Sequence, residues 1–248
     1  MSITIREEAG VRYLHFGSEW VQGAMRIARP AALELEYTRE LMFPLLLRNA
    51  PAWPATVLQI GLGSASITRF LRKHRPRTRI TVVEISGEVV AAARQFFNLR
   101  EDPRVSIEMA DGHEFMAASE RKYDLVVVDG FDERGRTGML DTLPSYVNVR
   151  ARLNDDGLAV VNLVDRRRGA AAASGARIAS AFDGRVLVLP PSTDGNTIAI
   201  AAEGADAGAT IAQLRARAIV LKGRTGLNLE PTIARLAARV GSRGAVVL

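Results

Sequence analysis

The sequence predicts an α/β protein built on a doubly wound, mostly parallel sheet, and three observations carry that prediction. Short apolar runs alternate with segments of helical period. Each run finishes on glycine or a carboxylate, at Gly61, Glu84, Asp111 and Asp129. The runs are predominantly apolar, as strands covered on both faces tend to be.

The elements follow in order. Ser2–Glu7, Val11–Phe16 and Trp20–Ile27 read as three short strands of a small antiparallel arm, broken at Gly10 and Gly17. Ala31–Leu47 changes to helical period, with Leu33, Tyr37, Leu41 and Pro44–Leu47 near one stripe, and Pro51 and Pro54 close it. Val57–Ile60 is the first core strand and Ile67–His74 its helix. Arg79–Val83 and the helix Glu88–Phe97 repeat the unit, followed by Val105–Met109 with a helix over His113–Ser119. Tyr123–Val128 ends in Asp129, and Leu158–Val164 ends near Asp165. Ala170–Phe182 is helical. Arg185–Leu189 and Thr197–Ala202, joined through Pro190–Asn196, read as an antiparallel pair at the sheet edge. That closing pair favours a seven-stranded, Rossmann-like sheet of the methyltransferase type over a dinucleotide-binding one. Two amphipathic helices, near Thr210–Val220 and Glu230–Val240, complete the chain. The reading divides it into an arm and helix (1–50), a catalytic domain (51–205) and a helical extension (206–248).

Composition narrows the chemistry. With 248 residues and no cysteine, disulfides, thiolate catalysis and cysteine metal sites are excluded. Three scattered histidines, His15, His74 and His113, argue against a metal site. No apolar run is long enough to span a bilayer, and the opening residues lack a basic start followed by an apolar stretch. The expectation is a cytoplasmic, metal-independent protein with no membrane partner. The net charge of +6 invites nucleic acid, yet only three of 33 basic residues are lysines and no nucleic-acid module accompanies them. The runs Arg69–Arg77 and Arg166–Arg168 therefore read as solvated faces.

In a doubly wound sheet the ligand lies at the carboxyl ends of the strands. Gly61 and Gly63, with Ser64 beside them, allow a sharp turn and close approach of a ligand to backbone. Position 66 is serine, so the three-glycine dinucleotide fingerprint is incomplete. Glu84, with Ile85 next to it, ends the second strand where a carboxylate can accept both ribose hydroxyl hydrogens. Asp111-Gly112 follows the third strand, where an adenine amino group would sit. Together they describe an adenosyl pocket without a pyrophosphate site. Asp129 and Asp132 lie three apart on the central loop, spaced to converge on one cation or one transferring proton.

At this point the chain resembles the spermidine synthase (polyamine aminopropyltransferase) family. The resembling segments are Glu36-Tyr37-Thr-Arg-Glu40-Leu-Met42, Val57-Leu-Gln-Ile-Gly61-Leu-Gly63, Val82-Val-Glu84-Ile-Ser86, Asp102-Pro-Arg-Val105, Ala110-Asp111-Gly112 and Tyr123–Asp132. The resemblance implies transfer of an aminopropyl group from decarboxylated S-adenosylmethionine to putrescine or a related small amine, releasing methylthioadenosine. It implies Glu84 on the ribose, Asp111-Gly112 on the adenine, Asp129 as base and Asp132 on a substrate nitrogen. Tyr37 and Gln22 are expected beside substrate and cofactor respectively, and the family suggests a homodimer. The chain departs from the family at two places. Ser64 stands where an aspartate grips the donor ammonium, and Asp129-Gly-Phe-Asp132-Glu133 replaces Asp-Ser-Ser-Asp-Pro. The gate that follows carries Arg134 and Arg136. Two other readings stay open: a methyltransferase using ordinary S-adenosylmethionine, and a non-catalytic adenosyl-binding protein of the same fold.

Overall fold

A computed structural model describes residues 2–17, 19–132, 136–164, 169–204 and 206–248. The arm is a three-stranded antiparallel meander of β1 (Ile3–Glu8), β2 (Val11–Phe16) and β3 (Val21–Arg26). The expected helix over 31–47 is instead two short helices, α1 (Glu36–Glu40) and α2 (Pro44–Leu47). Pro44 has no N–H to continue the ladder. The Glu40 carbonyl instead accepts from the Phe43 amide at 2.9 Å, a tighter turn that redirects the chain.

The central sheet alternates strand and helix: β4 (Thr56–Ile60), α3 (Ser66–His74), β5 (Arg79–Glu84), α4 (Gly87–Phe96), β6 (Val105–Met109), α5 (Gly112–Ala118) and β7 (Tyr123–Val128). A 3₁₀ turn at Gly138–Asp141 precedes α6 (Leu143–Ala151), β8 (Leu153–Val164), α7 (Ala170–Ala181), β9 (Val186–Val188) and β10 (Asn196–Ala202). The order is β6-β5-β4-β7-β8-β10-β9, parallel from β6 through β8, with β10 antiparallel to both its neighbours. This is the seven-stranded, Rossmann-like arrangement expected, with the antiparallel pair at one edge. The helix α6 carries no clear apolar stripe. Its signals are the capping Thr142, whose side chain accepts from the Ser145 amide, and Pro144 in the first turn. The runs Arg166–Arg168 and Arg134, with Asp165, lie outside the described residues.

The strands show why apolar runs without alternation were the right signal. Val57, Leu125, Val127, Leu158 and Val160 face one apolar layer, with α3 and α4. Their neighbours Leu58, Val126, Val128, Ala159 and Val161 face the other, with α5, α6 and α7. Successive strand residues point to opposite faces, so a sheet covered twice favours apolar side chains on both faces of its central strands.

The C-terminal segment contributes β11 (Gly208–Thr210), α8 (Ile211–Thr225), α9 (Glu230–Val240) and β12 (Ala245–Val247), the two strands pairing antiparallel. Leu214, Leu221, Ile233 and Leu236 join the same apolar layer as Leu41–Leu47 and Val57. Arg217 also donates to the Leu46 carbonyl at 2.7 Å. No helix among the described residues is long and apolar enough to cross a membrane.

Leu214 is fully buried in this shared layer. Leu214→Ala should lower the unfolding free energy by about 2–5 kcal/mol. Urea unfolding followed by far-UV circular dichroism is the measurement. A single transition should move to lower urea as a whole, because α8 packs in the layer that also holds the sheet.

Candidate active site

The carboxyl edge of the sheet opens into a cavity of about 1120 Å³. Along it, β6, β5, β4 and β7 deliver Asp111, Glu84, Gly61 with Gly63, and Asp129 in that spatial order. Gln22, Tyr37, Ile85, Gly112 and Asp132 also line the cavity, so most of the residues expected from sequence share one space.

The glycine loop is tightly constrained. Gly61 has φ +88°, and a Cβ there would lie 2.2 Å from the Asp129 carbonyl oxygen. Its amide donates to the Val83 carbonyl at 2.9 Å, while the Asp129 amide donates to the Ile60 carbonyl at 2.9 Å. Glycine is needed because the two strand ends pass each other backbone to backbone.

Glu84 is buried, and both its oxygens are occupied on one side. Oε2 accepts from the Leu62 amide at 2.9 Å and Oε1 from the Ser86 amide at 3.0 Å. A carboxylate has about four lone-pair positions, so each oxygen keeps capacity for a ligand hydroxyl. Asp111 caps α5: Oδ1 accepts from the His113 and Glu114 amides at 2.8 and 3.1 Å, leaving Oδ2 without a protein partner among the described residues. A Cβ on Gly112 would lie 2.3 Å from Ile60 Cγ2, so glycine lets α5 begin against β4.

Asp129 has a different environment. Removal from water pushes its carboxyl up to about 6, against an opposing hydrogen bond from Asn162 Nδ2 to Oδ1 at 2.8 Å. Asn162 Oδ1 in turn accepts from Asn196 Nδ2 at 2.9 Å. Three adjacent strands, β7, β8 and β10, thus supply one chain of polar groups. Tyr37 is raised well above the ordinary phenol value, by burial first and then by the charges of Asp129 and Asp194. Its hydroxyl donates to the Gln22 carbonyl at 3.4 Å, tying α1 to the arm.

Ser64 and Asp132 stand apart from this group. Ser64 does not line the main cavity. It faces a small adjoining crevice, with Oγ 2.9 Å from Ser66 Oγ, and Gly23 of β3 packs directly over it. Asp132 lines the cavity but is engaged by Arg136, whose Nε donates to Oδ2 and whose amide donates to Oδ1, both at 2.8 Å. The gate arginine and the loop carboxylate therefore neutralise each other.

Sequence reasoning missed Asn162, Asn196 and Asp194, all of which line the cavity. A signal existed for Asn162: it is the one polar residue in the apolar run from Leu158 to Val164. A buried amide in such a strand needs partners, and Asp129 and Asn196 are those partners.

The raised Asp129 carboxyl has consequences for pH. Its folded-state value of about 6 lies above the ordinary 3.8, so folding favours the neutral form. Stability is therefore lost as pH rises between those two values, and the cost is fully present above about 6. A carbon-detected NMR titration should show the Asp129 carboxyl titrating near 6. Asn162→Leu removes the donor and should move the midpoint upward. An unchanged midpoint would remove Asn162 from the control of Asp129.

Comparison with known proteins gives the family and the fold. The family model for the spermine/spermidine synthase domain matches residues 37–163. A polyamine aminopropyltransferase of Neisseria meningitidis serogroup A is 35% identical over 245 residues, covering 98% of this chain and 91% of that protein. Two solved structures share the fold. Spermidine synthase in complex with the transition-state analogue AdoDATO superposes with TM-score 0.61 at 23% identity, covering 82% of this chain and 74% of the other. Human methyltransferase-like protein 13 in complex with SAH gives TM-score 0.68 at 20% identity, covering 78% and 93%. Glu84 and Asp111 stand together at one end of the cavity. By sequence over nearly its whole length, the chain belongs to the spermine/spermidine synthase family.

Proposed function

We propose that this protein is an aminopropyltransferase, using decarboxylated S-adenosylmethionine as donor and a small diamine as acceptor. One observation carries the reading: Asp129, a carboxyl with a raised affinity for protons, sits beside the adenosyl end of a single cavity. Aliphatic amines are protonated at neutral pH, with pKa values near ~10, and attack only as free bases. A carboxylate desolvated to about 6 is a better proton acceptor than an ordinary aspartate while still ionised at neutral pH.

In the reaction, Glu84 would accept both ribose hydroxyl hydrogens and Asp111 Oδ2 the adenine amino group. The acceptor nitrogen attacks the propyl carbon next to the sulfonium, forming the C–N bond as the C–S bond breaks. The electron pair of that bond remains on sulfur, which leaves as the neutral thioether of methylthioadenosine. The proton shed by the nitrogen passes to Asp129. Asn162 holds the Asp129 carboxylate in place, and Asn196 holds Asn162. No other group need change covalently, so the protein's work is alignment, proton removal and exclusion of water.

The deciding assay is mass spectrometry of the nucleoside product after incubation with each donor and a pool of diamines and polyamines. Methylthioadenosine formed only with amine present is expected. S-adenosylhomocysteine from ordinary S-adenosylmethionine would instead make the protein a methyltransferase. Asp129→Asn should lower turnover by ~10²–10⁴-fold while retaining methylthioadenosine affinity. Near-normal turnover in that variant would remove Asp129 as the base.

A further inference from the structure

A diamine carries a second ammonium, distant from the one that reacts, and the cavity must hold it. Most carboxylates on its wall are committed elsewhere. Glu19 is paired with Arg6, and Asp132 with Arg136. Glu84 and Asp111 hold backbone amides at the adenosyl end, and Glu88 accepts from the Ser86 hydroxyl. Asp194, in the loop between β9 and β10, lines the cavity with no cation or hydrogen-bond donor on its carboxylate among the described residues.

Its position fits the remaining charge. Asp129 ends β7, and Asn196 opens β10, two strands further along the same edge. Strand spacing alone sets those two strands roughly 10 Å apart across the sheet. Asp194, two residues before Asn196, shares the wall of one cavity with Asp129, so a diamine in that cavity can turn one nitrogen toward each carboxylate. Tyr37 lines the same cavity, within the electrostatic reach of both carboxylates.

The loop is also held from behind. Glu36 of α1 accepts from the Thr193 amide at 3.1 Å and from its hydroxyl at 2.5 Å. Arg235 of α9 pairs with Glu36 at 2.7 Å. On the other side, Asn196 is fastened to Asn162 and its amide donates to Ser192 Oγ at 3.2 Å. Asp194 thus projects from a clamped turn, which limits the entropy lost on gripping a ligand.

From this juxtaposition we propose that Asp194 binds the distal ammonium of the acceptor diamine and is the residue by which the enzyme distinguishes a diamine from a monoamine. The assignment rests on the aminopropyltransferase reading for its substrate class. It makes Asp194 a binding residue that never touches the transferred group.

Calorimetry of 1,4-diaminobutane against the methylthioadenosine-loaded protein tests the assignment without turnover. Asp194→Asn should weaken diamine affinity about tenfold, the scale of losing one charge-assisted hydrogen bond. Affinity for 1-aminobutane and for methylthioadenosine should stay within about twofold. Equal diamine affinity in variant and wild type overturns the proposal, as does a matching loss for the monoamine or the nucleoside. So does wild-type protein that does not bind the diamine. A parallel turnover assay of the wild type separates the two ideas. Absence of methylthioadenosine there rejects the aminopropyltransferase reading, while the diamine-to-monoamine difference still decides the role of Asp194.

Discussion

Everything at the site is measured from the passage of β4 past β7. The Asp129 amide donates to the Ile60 carbonyl, and the Asp129 carbonyl fills the space a side chain at position 61 would need. At this point the strand order reverses, with β5 and β6 on one side of β4 and β7 and β8 on the other. The reversal parts the connections and leaves the crevice open. Glu84 with Asp111, and Asp129, are thereby fixed on opposite sides of one contact between backbones. A methyl group at Gly61 would separate them.

Charge is arranged on the same plan. The chain is basic overall, yet the cavity wall carries seven carboxylates and one arginine among the described residues. Many arginines are used internally. Arg69 is buried and donates to the carbonyls of Pro30, Ser64 and Phe97, and burial brings its guanidinium down to about 9. Arg72 and Arg104 converge on Asp102, which they hold well below the usual carboxylate range. Those arginines tie loops to α3, so the positive balance of the composition says little about the field inside the pocket.

The C-terminal helices bear on the site although they line none of it. Arg235 of α9 bonds both Glu36 and Glu40, the latter fully buried and also bonded by Thr232. Glu36 reaches on to Thr193, beside Asp194. The turn at Pro44 lets α1 lie against both the arm and the β9–β10 loop. A continuous helix over 31–47 would have carried Tyr37 along a straight axis with its apolar stripe.

Much of this was legible in the chain itself. Glu84, Asp111 and Asp129 could be found by position alone, because a parallel sheet covered on both faces writes its strands as apolar runs and its ligand edge as the first polar residue after each run. The two glycines could be found for the same reason. Family resemblance added their chemistry. What remained out of reach depended on distance across strands. Asn162 bears on Asp129 from 33 residues away, and Asp132 is neutralised by Arg136 through the particular fold of one loop. Ser64 turns under Gly23 of the arm, and Asp194 lines the cavity beside Thr193, which Glu36 clamps from 157 residues earlier. Local spacing and periodicity determined which residues end each strand. Only tertiary packing decided which of those carboxylates stayed unpaired, because pairing depends on side chains that the sequence keeps far apart.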